Sequence, residues 1–420
     1  MTPRPLRLTL LGLNYTPEVT GIAPYTTGLA RGLARSGHDV RVVTGFPHYP
    51  AWKVDAEYTG MTRNEQCDGV NIRRVRQYTP SAPNNANRIL LEGTFGLRAA
   101  TQNWDNPDVI VCVTPALISA AMIVARARVA AKNRPGIGIW VQDLYSRGII
   151  ETSSAPHAFA RGAHAFESAT LRAADGIAVI HERFRQHLCS ELSVDDSKID
   201  VIRNWTHVKS GAVRDALATR QLLNWNPTET VVLHAGNMGA KQGLENVVEA
   251  ARLAENTSEN IRFVLLGDGN QRAKLEHLGS SIPNLQFVRP LNDFDFRSAL
   301  NAADMLLVNE LPHITDMAVP SKLTTYFATG KSVVAATNEH STTAQEIKAS
   351  GGGIIVPPGD PARLLSAVIE LAANQPLATE LGKKGLQFHA NNLSEEAALD
   401  KFDRWVNRLA ARNSLRRTSA

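Results

Sequence analysis

The sequence has little cysteine, no long apolar run and no tract that interleaves basic and aromatic residues, and each absence removes a class of function. Its three cysteines, Cys67, Cys112 and Cys189, are odd in number and far apart, without metal-ligand spacing. That excludes a disulfide framework or a cysteine-built zinc site, and reads as reduced thiols in a cytosolic protein. No stretch reaches the roughly 20 apolar residues of a membrane span. The nearest, residues 116–124, runs into Arg126 and Arg128 and reads as a buried helix. The apolar run 6–13 ends in Asn14 and Tyr15 with no small-residue cleavage site, so it reads as a first β-strand rather than a signal peptide. Without a basic and aromatic tract there is no nucleic-acid face to argue for. The net charge of +5 is mild and fits anionic small molecules or a membrane surface at least as well.

What is present is a globular composition, 43% apolar and 20% charged. A chain of 420 residues is too long for one ordinary core and predicts two domains of about 200 residues each. After the first strand come NYTPEVTGIAPY and a helix with Tyr25, Leu29 and Leu33 on one face; Gly37 stops it. HDVRVVTG is then a second strand with His38 at its polar end. A βαβ opening implies a parallel, doubly wound sheet. Thr20, Gly21 and Ile22 fall at its first strand-to-helix turn, where such folds bind phosphates. The segment FPHYPAWKVDAEYTG is long, irregular and rich in aromatic rings, and loops of that length are usually functional or mobile. NIRRVR is a short strand. Asn85 to Trp104 reads as a helix whose apolar residues Ile89, Leu90, Phe95 and Leu97 are interrupted by Gly93 and Gly96. DVIVCVTP, IGIWVQD and GIAVI are buried strands, and KIDVIRNW closes the first half before a linker and short helix at 207–227. The second half repeats the architecture with six strand candidates, VVLHAG, RFVLLG, LQFVRP, DMLLVNE, SVVAAT and GGIIVPPG. From Asp360 the chain is helical almost to its end, where SLRRTSA is polar, basic and expected to fray.

Two stretches carry candidate chemistry. In TVVLHAGNMGAKQGLENVVEAARL a buried strand breaks into a loop and an amphipathic helix. Gly236, Gly239 and Gly243 let backbone approach a ligand, the helix N-terminus favours an anion, and Lys241 sits where an ammonium meets a phosphate. The loop is neither GxxxxGK[ST] nor GxGxxG, so the P-loop and dinucleotide fingerprints both fail. In DMAVPSKLTTYFATGKSVVAAT, Pro320 starts a helix, and Ser321 and Lys322 offer a hydroxyl, an ammonium and free backbone donors suited to a diphosphate. An ordinary strand-to-helix turn and an N-cap with a solvated lysine are the plain alternatives. Asp143, just beyond the carboxyl end of its strand, is either a ligand-facing carboxylate or a cap. Asp293-Phe294-Asp295 resembles a metal-binding DxD, but it opens the helix FRSALNAAD and reads as an N-cap.

Together these segments resemble the retaining glycosyltransferases of family 4 and the GT-B fold, in the branch that builds capsules, colanic acid and lipid-linked surface glycans. PEVTGIAPYTTGLARGLARSGHDVRVVTG is similar to the family's N-terminal loop, helix and strand. WVQDLY and VIRNW resemble the branch's "QDL" and "IPNW" segments. HAGNMGAKQGLENVVEAA, FVLLGDG and PSKLTTYFATGKSVVAA match the donor-domain segments in order. The resemblance implies two Rossmann-like domains facing across a cleft: an acceptor domain at 1–208 and a donor domain at 209–395. A C-terminal helix and basic tail at 396–420 follow, the helix able to pack back on the first domain. It implies donor contacts from Gly21, Gly236, Asn237, Gly239, Gly267, Arg289, Pro320, Ser321 and Thr325, with Lys241 neutralising the leaving diphosphate. Asn237 stands where many relatives have arginine, and Lys322 is expected to make up that charge. Thr325 stands where the family has its ribose-gripping glutamate; the preceding glutamate is not evident near Thr315 and Asp316, and His207 replaces an aspartate. Asp143 is the expected acceptor-side polar residue.

The expectation is therefore a retaining, metal-independent transferase with no cofactor. Its partners are a nucleotide diphosphate sugar and a glycan or polyprenyl-diphosphate-linked acceptor. It works in the cytoplasm, with peripheral membrane contact through residues 89–97 and the basic set Arg126, Arg128, Lys132 and Arg134. A non-hydrolysing nucleotide-sugar epimerase and an inactive scaffold of the same fold are the rivals. A dehydrogenase lacks its fingerprint in both halves.

Overall fold

The structure, a computed structural model, describes residues 4–19, 21–81, 84–129, 134–144, 157–206, 211–314 and 321–418. It divides into two compact units, residues 1–204 with 395–420 and residues 205–394.

The first unit is built on strands β1 (Arg7–Leu11), β2 (Asp39–Gly45), β3 (Thr62–Cys67), β4 (Val70–Val75), β5 (Val109–Val113), β6 (Gly136–Val141), β7 (Gly176–Val179) and β8 (Ile199–Val201). They form one sheet in the order β3-β4-β2-β1-β5-β6-β7-β8. Neighbours run parallel except β3, which is antiparallel to β4. Helices α1 (Ala23–Arg35), α2 (Asn85–Thr101), α3 (Leu117–Val129), α4 (His157–Arg172) and α5 (Glu182–Ser190) connect them. Strands β5, β6 and β7 are buried at every residue, the condition that gives a parallel strand its continuous apolar run. The sequence reading misses β3, because TRNEQC exposes most of its side chains and shows no alternation. Its turn forms it: Asp68 and Gly69 both take positive φ, 52° and 78°, the two-residue hairpin geometry that Asp-Gly favours.

The second unit carries β9 (Thr230–Ala235), β10 (Ile261–Leu266), β11 (Leu285–Val288), β12 (Met305–Asn309), β13 (Ser332–Ala336) and β14 (Gly353–Val356). All are parallel, in the order β11-β10-β9-β12-β13-β14. Its helices are α6 (Ala216–Leu222), α7 (Glu245–Ala254), α8 (Arg272–Leu278), α9 (Asp293–Ala302), α10 (Ser321–Phe327), α11 (Thr342–Ser350), α12 (Pro361–Ala373) and α13 (Gln375–Asn392). Period-two alternation feeds two cores: Val232 joins one apolar cluster, and Val231, Leu233 and Ala235 join the other. The cap of α9 is one residue earlier than the sequence suggests. Asn292 accepts the Asp295 N–H at 3.0 Å, and the Asp295 carboxylate pairs with Arg214 at 2.8 Å.

The last helix, α14 (Glu395–Thr418), belongs to the first unit and continues through Thr418, into the tail expected to fray. Three glycines make its seat. A Cβ at Gly138 would lie 2.6 Å from the Trp405 ring, and one at Gly136 or Gly176 would lie 2.8 Å from Leu409. Trp140 packs edge-on against Phe402 at 4.8 Å. His38, expected as a strand's polar end, is a buried joint: its Nδ1 accepts the Leu6 N–H at 3.1 Å, so Nε2–H donates to Asp403 at 2.7 Å.

Candidate active site

In the second unit β9 lies between β10 and β12, so strand order reverses there and the loops after β9 and β12 open side by side at the sheet's carboxyl end. The buried Asn309 joins them. Its Nδ2 donates to the carbonyls of Gln242 and Gly243 at 2.8 and 2.9 Å, and its Oδ1 accepts from Asn246 at 2.8 Å. The Leu311 N–H donates to the Lys241 carbonyl at 3.1 Å. The β9 and β10 loops stack backbone on backbone: a Cβ at Gly267 (φ 141°) would sit 1.9 Å from the Gly236 oxygen. Gln242 Oε1 accepts the Gly239 N–H at 3.0 Å and closes the short turn Ala240–Gln242, from which Lys241 projects at the surface. The helix behind the turn, α7, begins with Glu245, so its own carboxylate already occupies the first turn that the sequence reading reserved for a bound anion.

Lys322, in the first turn of α10, reaches the same strand ends. Its Nζ lies 3.4 Å from Nε2 of His234, which is fully buried in β9. Burial pulls the Lys322 ammonium down to about 8, against the upward pull of the Glu310 carboxylate. Tyr326, one turn further on, fixes α10 by accepting the Ala235 N–H at 2.8 Å and donating to the Ala235 carbonyl at 3.1 Å. Glu310, the first residue after β12, accepts hydroxyl protons from Thr337 and Thr343. Lys241, Gln242, Glu310, Ile314 and the N-terminus of α11 line a cavity of about 90 Å³. Lys241 also borders an open hollow of about 510 Å³ with Asn237, Gly239 and Asn270.

The first unit has its own reversal at β1, between β2 and β5. Here the loops after β1 and β2 meet around Glu18, whose Oε1 accepts the backbone N–H groups of His48 and Tyr49 at 2.8 and 2.9 Å. Its Oε2 accepts from Asn14 at 2.8 Å. His48 Nδ1 lies 3.0 Å from the Phe46 carbonyl, 3.2 Å from Gln77 Nε2 and 3.4 Å from Glu18 Oε1. Trp52 packs near His48 and edge-on to Tyr49, at 5.9 and 5.8 Å.

Residues 20–205 match the family model of the glycosyl transferase 4-like domain, and residues 216–388 that of glycosyl transferases group 1. WcaI of Escherichia coli (strain K12), whose name assigns it to colanic acid biosynthesis as a glycosyl transferase, is 31% identical over 345 residues, 78% of this chain and 83% of that protein. The chain belongs to glycosyltransferase family 4. Within the family it falls in the surface-glycan branch. Among solved structures, sucrose-phosphate synthase from Thermosynechococcus elongatus superposes with a TM-score of 0.66 at 17% identity, over 96% of this chain and 99% of that one. Anabaena HepE in complex with UDP does so with a TM-score of 0.65 at 12% identity, over 95% and 99%. These are likenesses of fold, and the two doubly wound parallel sheets are the GT-B architecture expected from the sequence.

On this family 4 frame, Gly236, Asn237, Gly239, Lys241, Gly267 and Lys322 lie at the carboxyl end of the second sheet. Arg289 is exposed just after β11, the edge strand beyond β10. Thr325 shares a hydrogen bond of 3.1 Å with Thr206. Gly21 (φ 65°) and Asp143 belong to the first unit, Gly21 beside the Tyr49 ring and Asp143 exposed beyond β6 with Oδ1 accepting the Leu144 N–H at 2.9 Å. Pro320, Thr315, Asp316, Thr20, His207 and Lys132 lie outside the described residues, as does the side chain of Ser321. His234, Glu310, Glu18 and His48 were not singled out as site residues in the sequence. The available signal was a polar residue inside or directly after an apolar run, as in VVLHAG and LLVNE. Among the described residues no group of three or more His, Cys, Asp or Glu gathers as a metal would require.

Proposed function

We propose that this family 4 glycosyltransferase transfers a hexose-type sugar, with retention of anomeric configuration, from a nucleoside diphosphate donor held by the second unit. The acceptor is a glycan or polyprenyl-diphosphate-linked sugar received by the first. The observation that carries this reading is the arrival of Lys241 and Lys322 at one strand-order reversal, on loops whose glycines let the Lys322 stem and the neighbouring loop pack close. The leaving diphosphate gathers negative charge as the glycosidic bond breaks, and cations held in place beside it stabilise that charge. Two ammonium groups supply what a divalent ion would otherwise supply, so the reaction needs neither metal nor cofactor. A diphosphate oxygen then takes the acceptor's proton on the face it leaves, and the paired carboxylates of glycoside hydrolysis have no role. The name of WcaI supports the surface-glycan assignment, and the HepE complex shows a like-folded protein holding UDP.

For the acceptor, Asp143 and the Glu18–His48 pair are the polar groups, and Tyr49 and Trp52 offer ring faces with polar edges. Of the basic set expected to meet lipid, Arg126 stacks on Trp104 at 3.7 Å, Arg128 donates to the Ala173 carbonyl and stays exposed, and Arg134 pairs with Asp175 at 2.6 Å. For peripheral membrane contact α2 offers Leu90 and Leu97, exposed between Arg88 and Arg98. No helix among the described residues is long and apolar enough to cross a membrane. The reading is tested by transfer from UDP-, GDP- and dTDP-sugars to a lipid-linked acceptor in the presence of chelator. A product that keeps the donor's anomeric configuration, in a yield unaffected by chelator, is expected; inversion, or loss of turnover with chelator, contradicts it.

A further inference from the structure

His234 stands at a strand position where an apolar side chain would pack with Val232, and it is fully buried. Its Nδ1 lies 3.1 Å from the Leu307 carbonyl, which can only accept, so Nδ1 carries the proton; the Asn237 backbone also hydrogen-bonds the ring. Its Nε2 lies 3.4 Å from Lys322 Nζ. Gly236 completes the arrangement, because a Cβ there would lie 2.8 Å from Lys322 Cε and displace the lysine stem. The charged and titratable groups around the ammonium are His234 from β9, Glu310 from the segment after β12, and Tyr326 from α10, whose hydroxyl is committed to the Ala235 backbone. A buried imidazole is costly unless its polar atoms are used.

We infer that His234 is a positioning residue for the donor site: its neutral imidazole holds the Lys322 ammonium across Gly236, where a nucleoside diphosphate is received. The inference rests on the donor reading of the second unit. Burial and the adjacent Lys322 charge keep His234 far below its ordinary value, so it stays neutral. Lys322, brought down to about 8 by burial, keeps its proton below that pH and loses it above. A diphosphate stabilises the ammonium, so affinity is full below about pH 8, falls as pH rises through it, and binding there takes up a proton. Removing Nε2 withdraws a partner from the ammonium and moves that fall to lower pH.

The test is calorimetric titration of the full chain with UDP and with GDP from about pH 6.5 to 9.5, in buffers of different ionisation enthalpy to count protons. His234→Asn keeps an N–H for Leu307 but falls short of Lys322; His234→Gln restores an acceptor near Nε2. Thermal melts verify that each variant is folded. At pH 8, affinity should fall about tenfold in His234→Asn, with its alkaline limb shifted about one unit downward, and return in His234→Gln. Lys322→Met should abolish both the limb and the proton uptake. Identical limbs in wild type and both His234 variants would overturn the positioning role. So would binding that needs Lys241 but ignores Lys322→Met. Absence of binding to either nucleotide in the wild type would overturn the donor reading together with the inference.

Discussion

The two units use one sheet logic for opposite chemistry. Each opens a pair of loops where strand order reverses, but the second unit places Lys241 and Lys322 there, and the first places Glu18, His48, Tyr49 and Trp52. Cations beside glycine-lined backbone suit a diphosphate; a carboxylate-oriented imidazole beside ring faces suits a neutral, hydroxylated partner. The support differs as well. The second unit's loops are held mainly through backbone carbonyls taken by the buried Asn309, whereas in the first a single carboxylate gathers the N–H groups of the loop after β2. Fold fixes where ligands go, and the residues at the reversal decide which ligand.

The comparison can be broken most forcefully at Gly267. Alanine there brings a Cβ to 1.9 Å from the Gly236 oxygen at a φ of 141°, and should destabilise the protein by about 3 kcal/mol in urea unfolding and take donor affinity with it. An unchanged unfolding midpoint would mean the two loops are not stacked. Next comes Glu18→Gln, which removes the charge orienting His48. It should lower kcat/KM for the acceptor about tenfold while leaving donor affinity within about twofold; an equal loss in donor affinity would erase the division of labour between the units.

Glu92 sharpens the contrast away from both sites. Its buried carboxylate accepts the Ile118 N–H at the start of α3, and burial pushes it up to about 7. A folded value raised above the unfolded one means that stability is lost as pH rises from the unfolded value through about 7. Glu92→Gln should therefore add about 2 kcal/mol at pH 8 and little at pH 4, as read by denaturant melts at each pH. The smallest effect belongs to Gly93, in mid-helix with nothing near its missing Cβ. Gly93→Ala should raise stability by about 0.5–1 kcal/mol, without touching donor or acceptor kinetics.

Much of the fold was legible because parallel strands covered on both faces advertise themselves. VVLHA, RFVLL and DMLLVN needed no more than their apolar runs and the breaks after them. What stayed hidden had no such signature. β3 is polar throughout and owes its existence to Asp68-Gly69, a turn signal that outranks alternation there. The cap of α9 fell to Asn292 rather than Asp293, since a cap is set by the dihedral angles at the helix start and a sequence lists several candidates. At the candidate site, Lys241 and Lys322 stand out as cations in polar breaks. His234 and Glu310 do not, because their significance lies in what they face, Lys322 at 88 positions from His234 and Thr343 at 33 from Glu310. The neighbours of the arginines near Arg126 stay hidden for the same reason: only the fold gives them Trp104, Ala173 and Asp175 as partners.

The most direct measurement is donor binding by calorimetry across UDP-, GDP- and dTDP-sugars, on the wild type and on Lys241→Ala. The account predicts selective binding of one donor, weakened by about 1.5–3 kcal/mol when the lysine is removed, as the loss of a charged hydrogen bond requires. Binding that is unchanged in Lys241→Ala would contradict it.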